Sequence, residues 1–322
     1  MNILITGGLG YIGGRVANYL KEKSPESSIF LTTRDKTRHL PSWTNKFTIL
    51  QMDLLDEDSV SESIRNLNLD VIVHLAALNE IDSMKDPELA FKVNTKGTYK
   101  LLETAYRNNI SKFIYFSTFH VYGEVTSSII TEETPTRPFH PYAITHRMAE
   151  DIVNYFKYYH GLKTLIFRLS NAYGYPMNKE VNRWTLVFND LCKQAVTSGR
   201  LFLKSSGKQH RDFISLHDVA RAVYHFLYLV IADNWGDGLY NLGGDCSMSI
   251  FNVALKVAEV YKSIYNKEIL EIKTKSDNDY SDCKAVRFSI EKLKRKGFDL
   301  KGDMFFEIAR TIKVCEQFTV YK

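Results

Sequence analysis

The chain has 322 residues, 44% of them hydrophobic, 25% charged and 13% aromatic, which supplies a sizeable core and excludes a disordered or fibrous chain. Its 42 lysines and arginines against 37 aspartates and glutamates leave a formal charge of +5 spread along the sequence; nucleic-acid binding has no footprint here, whereas an anionic small molecule would suit it. No apolar run approaches the roughly 20 residues that span a bilayer, the first residues carry no basic leader, and Cys192, Cys246, Cys283 and Cys315 lack metal-ligand spacing, so the expectation is a cytoplasmic protein with reduced cysteines, no metal and no membrane contact.

From residue 2 to 169, short β-branched runs at 3–6, 29–33, 47–52, 71–75, 113–117 and 164–169 alternate with longer amphipathic stretches at 12–23, 59–66, 87–108 and 142–160. That alternation predicts an α/β chain, a Rossmann-type doubly wound parallel sheet joined by right-handed crossovers. Beyond residue 169 the rhythm breaks into a polar run at 205–211, helices at 216–231 and 249–266, and a Lys/Asp-rich loop at 273–284. The expected organisation is a dinucleotide-binding domain over 1–169, with 212–245 returning to it, and a smaller, mixed C-terminal substrate-binding region over 170–211 and 246–322.

The first strand runs into Gly7, Gly10 and Gly13 and then a helix. Glycines so placed permit a tight bend, close approach of backbone to a pyrophosphate and close packing of helix on strand, so the segment with Tyr11 and Ile12 is expected to hold a dinucleotide. At the end of the second strand Thr33 stands where an acidic residue would bind an adenosine ribose, followed by Arg34, with Lys36 and Arg38 beyond. The missing carboxylate and added cations lean toward NADP, with NAD left open. Asp53 and Leu54 after the third strand could hold adenine, and Leu75, Ala76 and Ala77 end the fourth strand with room for a cofactor to pass.

Ser117-Thr118-Phe119-His120-Val121-Tyr122-Gly123 closes one strand, and Tyr142-Ala143-Ile144-Thr145-His146 opens a helix after Pro141. With the glycine turn, Asn94-Thr95-Lys96-Gly97, Arg168-Leu169-Ser170-Asn171 and Arg211-Asp212-Phe213, the chain resembles, over essentially its whole length, the extended short-chain dehydrogenase/reductase family of NAD-dependent epimerases and dehydratases acting on nucleotide sugars. The resemblance implies that Thr118 hydrogen-bonds the substrate oxygen and that Tyr142 is the acid/base. The family's lysine, four residues after the tyrosine, is His146 here; Tyr142 and His146 would also border the cofactor. A free tyrosine titrates near 10 and an imidazole near 6.5, so three readings stand open: the nicotinamide charge activates Tyr142, the enzyme is slow or prefers higher pH, or catalysis is lost.

Family dehydratases carry Asp-Glu directly after the catalytic Thr, whereas Phe119-His120 stands here, which argues against dehydration and leaves His120 as a second proton shuttle or a hydrogen-bonded bystander. Asn79, Thr118, His120, Asn171 and Arg211 are the expected contacts of a nucleoside diphosphate sugar, with Arg211 on phosphate. Aromatic residues on 87–108 and 142–160 suggest a homodimer through those helices. The expected activity is that of an NAD(P)-dependent dehydrogenase or 4-ketoreductase transferring hydride at a sugar carbon, most plausibly C4. A 4-epimerase with retained NAD is the near alternative, and a catalytically impaired nucleotide-binding regulator the alternative of another class.

Overall fold

The computed structural model describes residues 1–35, 39–125, 127–231, 234–275 and 286–319. Lys36, Arg38, Cys283 and Lys284 lie outside the described residues. In chain order the strands are β1 (Asn2–Thr6), β2 (Ser28–Thr33), β3 (Thr48–Gln51), β4 (Val71–His74), β5 (Lys112–Thr118), β6 (Ile129–Ile130), β7 (Lys163–Leu169), β8 (Asn171–Tyr173), β9 (Arg200–Leu203), β10 (His210–Ser215), β11 (Leu239–Leu242), β12 (Ser247–Ser249), β13 (Glu271–Thr274) and β14 (Arg287–Phe288). The helices are α1 (Tyr11–Lys23), α2 (Glu57–Ile64), α3 (Glu80–Lys85), α4 (Pro87–Ala90), α5 (Thr98–Arg107), α6 (Pro141–His160), α7 (Val187–Ser198), α8 (Leu216–Tyr224), α9 (Ile250–Tyr265), α10 (Glu291–Lys294) and α11 (Met304–Glu316). Among them no helix is long and apolar enough to cross a membrane.

The chain divides into two compact units: Met1–Val125, Glu132–Leu169 and Val223–Asn241 form the first, and Thr126–Thr131, Ser170–Ala222 and Leu242–Lys322 the second. The first holds a seven-stranded sheet in the order β11-β7-β5-β4-β1-β2-β3, in which β3, β2, β1, β4, β5 and β7 pair in parallel. Val71, Ile72 and Val73 of β4 and Ile3, Leu4 and Ile5 of β1 are wholly buried, as central strands covered on both faces require. The strand order reverses at β1, between β4 and β2, so ligands are expected at the carboxyl ends of these strands. The Rossmann-type reading therefore holds.

The expected helix at 87–108 is interrupted. Between α4 and α5 lies a widened π-type turn, Phe91–Gly97, where the buried Asn94 accepts from the Leu78 amide at 2.7 Å and donates to Thr145 Oγ1 at 3.1 Å. That side-chain anchoring, invisible to hydrophobic periodicity, accompanies the break in the regular ladder. The expected helix at 216–231 likewise ends at Tyr224 and continues as a wide turn, His225–Leu229.

In the second unit β10 pairs in parallel with β8 and antiparallel with β12. The segment that returns to the first unit is consequently 223–241 rather than the expected 212–245, because β10 joins this small sheet. Phe188, Leu191, Cys192, Val253, Val257, Ile308 and Ile312, from α7, α9 and α11, form the second unit's core.

Candidate active site

Gly7 adopts φ +66°, and a Cβ there would lie 2.9 Å from the Ala76 amide nitrogen. The left-handed turn thus packs directly on the end of β4, where Leu75 N and Ala76 N donate to Thr6 Oγ1 at 3.2 and 3.3 Å. A Cβ on Gly13 would sit 2.3 Å from Gly7 O, whereas one on Gly10 would meet only that oxygen, at 3.0 Å. Gly13 is therefore demanded by helix-on-turn packing, and Gly10 leaves open space beside the backbone. α1 begins at Tyr11 with no side-chain cap and no acidic residue in its first turn. Its first N–H groups and the positive end of its dipole are set to receive an anion, which fits a dinucleotide pyrophosphate. Ile12 is half-buried in the same turn.

Thr33 ends β2 with its hydroxyl turned back on Asp35, whose amide donates to it at 3.3 Å, and Arg34 is exposed. Asp53 caps its own loop by accepting from the Leu55 amide at 3.0 Å, and Leu54 is core. Ala77 is exposed at the sheet edge.

Thr118 ends β5 and caps the following turn by accepting from the His120 amide at 3.2 Å. α6 starts with Pro141 at its first position, which suits proline's fixed φ and missing N–H. Tyr142, His146 and Glu150 follow at four-residue steps and stack on one face. The Tyr142 and His146 rings meet edge to face at 4.5 Å. His146 is 3% exposed; its Nδ1 lies 2.7 Å from Tyr115 OH, and its Nε2 is buried with no hydrogen-bond partner among the described residues. Burial pulls its pKa down to about 4, with Glu150 opposing and His120 adding to the fall. At neutral pH the family's lysine position therefore carries a neutral imidazole. An orphaned, buried ring nitrogen is what a hydroxyl of a bound cofactor would satisfy, so these residues fit the group.

One turn further, Glu150 accepts from Ser117 Oγ at 2.6 Å, Arg168 Nη2 at 2.8 Å and Arg147 Nη1 at 2.8 Å. Burial pushes the Glu150 carboxyl up, but the hydrogen bonds and charge of Arg168 outweigh it and hold the group below its ordinary value. On β4, beside β5, His74 bridges Thr6 Oγ1 at 2.6 Å and Thr98 Oγ1 at 2.9 Å, and burial drops its pKa to about 3. The His120 ring lies tilted against Phe119 at 4.1 Å, meets His140 at 5.2 Å and Tyr142 at 6.0 Å, and lies 4.0 Å from a Glu80 carboxylate oxygen.

Two of the expected substrate contacts hydrogen-bond within the chain. Asn79 caps α3, accepting from the Asp82 amide at 3.1 Å while its own amide reaches the Asp82 carboxylate. Asn171 donates to the Asp212 carbonyl at 3.0 Å across the small sheet. Arg211 lines a cavity of about 110 Å³ with Asp190, Phe202, Lys204, Ser205 and Gln209, smaller than the roughly 300 Å³ at which whole-ligand pockets begin. Asp212 points to the other face of β10 and accepts from the Gly244 and Cys246 amides at 2.9 and 3.1 Å, as strand alternation requires. Arg287 is paired with Asp245 and Glu291.

Sequence reasoning quoted Asn94 and Arg168 only as part of the resemblance, and gave no part to Tyr115 or to the pairing of Arg168 with Glu150. The four-residue spacing after Tyr142 pointed to Glu150, and a tyrosine in an otherwise apolar strand pointed to Tyr115.

The sequence model of the NAD dependent epimerase/dehydratase family matches residues 3–243. The chain is 27% identical over 316 residues to the low-salt glycan biosynthesis protein Agl12 of Haloferax volcanii, covering 95% of each. It is 26% identical over 292 residues to the dTDP-glucose 4,6-dehydratase of Salmonella typhimurium, covering 83% of this chain and 78% of that one. The crystal structure of UDP-glucose 4-epimerase from Thermus thermophilus, a complex with NAD, shares the fold at a TM-score of 0.80 and 24% identity, covering 98% of this chain and 99% of that one.

Proposed function

The chain belongs to the NAD dependent epimerase/dehydratase family, and on that premise we propose that it is a nicotinamide-dependent oxidoreductase of nucleoside diphosphate sugars, acting at a hydroxyl-bearing carbon, C4 before others. The observation that carries this reading is the sequence of strand ends. β1 with its glycine turn, β4 with Leu75 and Ala76, and β5 with Thr118 are adjacent in one parallel sheet, and α6, bearing Tyr142, packs on β5.

A nicotinamide dinucleotide bound at the turn supplies the hydride acceptor or donor. Gly10 and the first amides of α1 receive its pyrophosphate. The Tyr142 oxygen, as phenolate, takes the proton of the sugar hydroxyl during oxidation and, as phenol, returns it on reduction, and Thr118 Oγ1 orients the sugar oxygen. His146 is neutral and contributes a hydrogen bond rather than a charge. Arg211 meets one phosphate of the sugar nucleotide. The exposed Arg34 and the absence of an acidic residue at Thr33 favour NADP over NAD.

Dehydratase chemistry is not our choice, although several relatives are so named, because Phe119 and His120 follow Thr118 in place of two carboxylates. The second reading, 4-epimerisation with retained NAD, uses the same Thr118 and Tyr142. We also assign a homodimer to α5 and α6, whose Tyr99, Tyr106, Tyr155 and Tyr159 are exposed.

The test is incubation of the purified protein with a panel of nucleoside diphosphate hexoses, with and without added NAD or NADP, beside Tyr142→Phe. Product formed only with stoichiometric added cofactor supports the dehydrogenase or ketoreductase. Inverted C4 without added cofactor supports the epimerase. Turnover unchanged in Tyr142→Phe would overturn the role given to Tyr142 in both, and a protein that binds dinucleotide but turns over no member of the panel would leave a nucleotide-binding regulator.

A further inference from the structure

His146 is held from one side only. Its Nδ1 is 2.7 Å from the Tyr115 hydroxyl, and Nε2, on the opposite side of the ring, is buried and unpartnered. Neither group is near the surface: Tyr115 is 2% exposed and His146 is 3% exposed. Which atom carries the proton between them decides what the catalytic face of α6 presents.

Two arrangements are possible for a neutral ring. If Nδ1–H donates to the phenol oxygen, the Tyr115 O–H has no acceptor and the Nε2 lone pair no donor, so two groups are stranded in a dry interior. If the Tyr115 O–H donates to Nδ1, the proton of the ring sits on Nε2 and only that N–H awaits a partner. A buried unsatisfied donor costs roughly 1–3 kcal/mol, so the second arrangement wins. The charged forms are disfavoured on both sides. Burial, then the Glu150 and Tyr142 charges, drives the Tyr115 phenol upward. Tyr142 and Glu150 on its own helix, Tyr115 on β5, His120 in the following turn and His74 on β4 surround the imidazole.

We propose that Tyr115 is a positioning residue: its hydroxyl donates to Nδ1 of His146, fixes the neutral imidazole in the Nε2–H form, and so makes His146 a permanent hydrogen-bond donor beside Tyr142. The pair replaces an ammonium by a donor that needs no proton from solvent and no counter-ion. This rests on the reading of Tyr142 and His146 as part of a dinucleotide site. The donor itself is a property of the free protein and is tested there.

The experiment is nitrogen NMR of the full chain labelled with 15N-histidine at neutral pH, the His146 signals being assigned by their loss in His146→Gln. The expected spectrum shows a protonated Nε2 and a bare Nδ1. Tyr115→Phe should produce both forms in exchange, which loss of packing alone would not do. Should Tyr115→Phe misfold, 3-fluorotyrosine at position 115 keeps the shape and acidifies the donor, and the Nδ1 signal should shift. A protonated Nδ1 in the unmodified protein, a form ratio unmoved by Tyr115→Phe, or an Nδ1 signal indifferent to the fluorophenol overturns the proposal. Adding NADPH and NADH separates the two readings. Tyr115→Phe should weaken dinucleotide binding roughly 3- to 10-fold, the worth of one net hydrogen bond, and should have no effect in a His146→Lys background. If neither dinucleotide binds while the Nε2–H form stands, the proposed function falls and the positioning role survives.

Discussion

Replacing His146 by lysine should move the acid limb of the pH–rate profile to lower pH by one to two units. The rings of Tyr142 and His146 are 4.5 Å apart; for an ammonium at position 146, taken at a separation of about 5 Å from the phenolic oxygen, an effective dielectric of about 20 gives roughly 3 kcal/mol, or about two pH units. Part of this is lost, because the site is 3% exposed and burial lowers the ammonium's own tendency to hold its proton. The sign is fixed: a cation favours the phenolate, so the base form is available at lower pH. The assay is kcat/KM for nicotinamide reduction across the pH range, by absorbance, in both proteins, with melting temperature as a check on folding. Identical limbs in two folded, cofactor-binding proteins would refute the reasoning, since Tyr142 could not then be the group whose ionisation limits the rate.

Glu150→Gln should destabilise the first unit by roughly 3–5 kcal/mol, because it leaves the buried Arg168 guanidinium without its counter-charge; chemical denaturation measures it. Glu150 is held below its ordinary carboxyl value, so its contribution is present above the unfolded value near 4.3 and is lost as pH falls through the folded one, and Glu150→Gln should flatten stability across that acid window. Gly13→Ala, with a Cβ 2.3 Å from Gly7 O, should lower the melting temperature sharply, whereas Gly10→Ala, at 3.0 Å from the same atom, should keep it within a few degrees and still lose dinucleotide affinity by calorimetry. Arg211→Ala should leave stability and NADPH binding unchanged and raise KM for the sugar nucleotide roughly tenfold or more. Tyr155→Lys with Tyr159→Lys, at positions 43% and 80% exposed, should convert a dimer to a monomer in sedimentation; a monomeric unmodified protein removes that assignment.

The central parallel strands were legible because they bury both faces, and a run such as Val71, Ile72 and Val73 of β4 leaves little choice of partner. The glycine turn was legible because backbone crowding leaves a mark that no other residue type can carry. What periodicity could not show were polar side chains that redirect backbone. Asn94 anchors the wide turn where an unbroken helix at 87–108 was expected, and Asn79 caps a short helix where a sugar contact was expected. In the second unit, β10 joined a small sheet through pairings with β8 and β12 that no local pattern encodes. The His146 departure was visible in the sequence, but its charge state was not, since that depends on burial and on the strand packed against it.

That burial explains why an imidazole is tolerable where a lysine is usual. A cation at position 146 would need a counter-charge, and the nearest carboxylate along the helix face, Glu150, already serves Arg168, Arg147 and Ser117. An unpaired ammonium at so dry a position costs several kcal/mol even after relaxation. The neutral imidazole with Tyr115 avoids that cost and keeps a donor in place, but it forfeits the field that would ionise Tyr142. Activity should accordingly rise with pH past neutrality instead of reaching a plateau there, and the same argument makes His146→Lys less stable than the parent even as its acid limb moves down. The two effects share one cause, so a lysine variant that gained stability would contradict the burial argument as directly as an unmoved pH profile would contradict the electrostatic one.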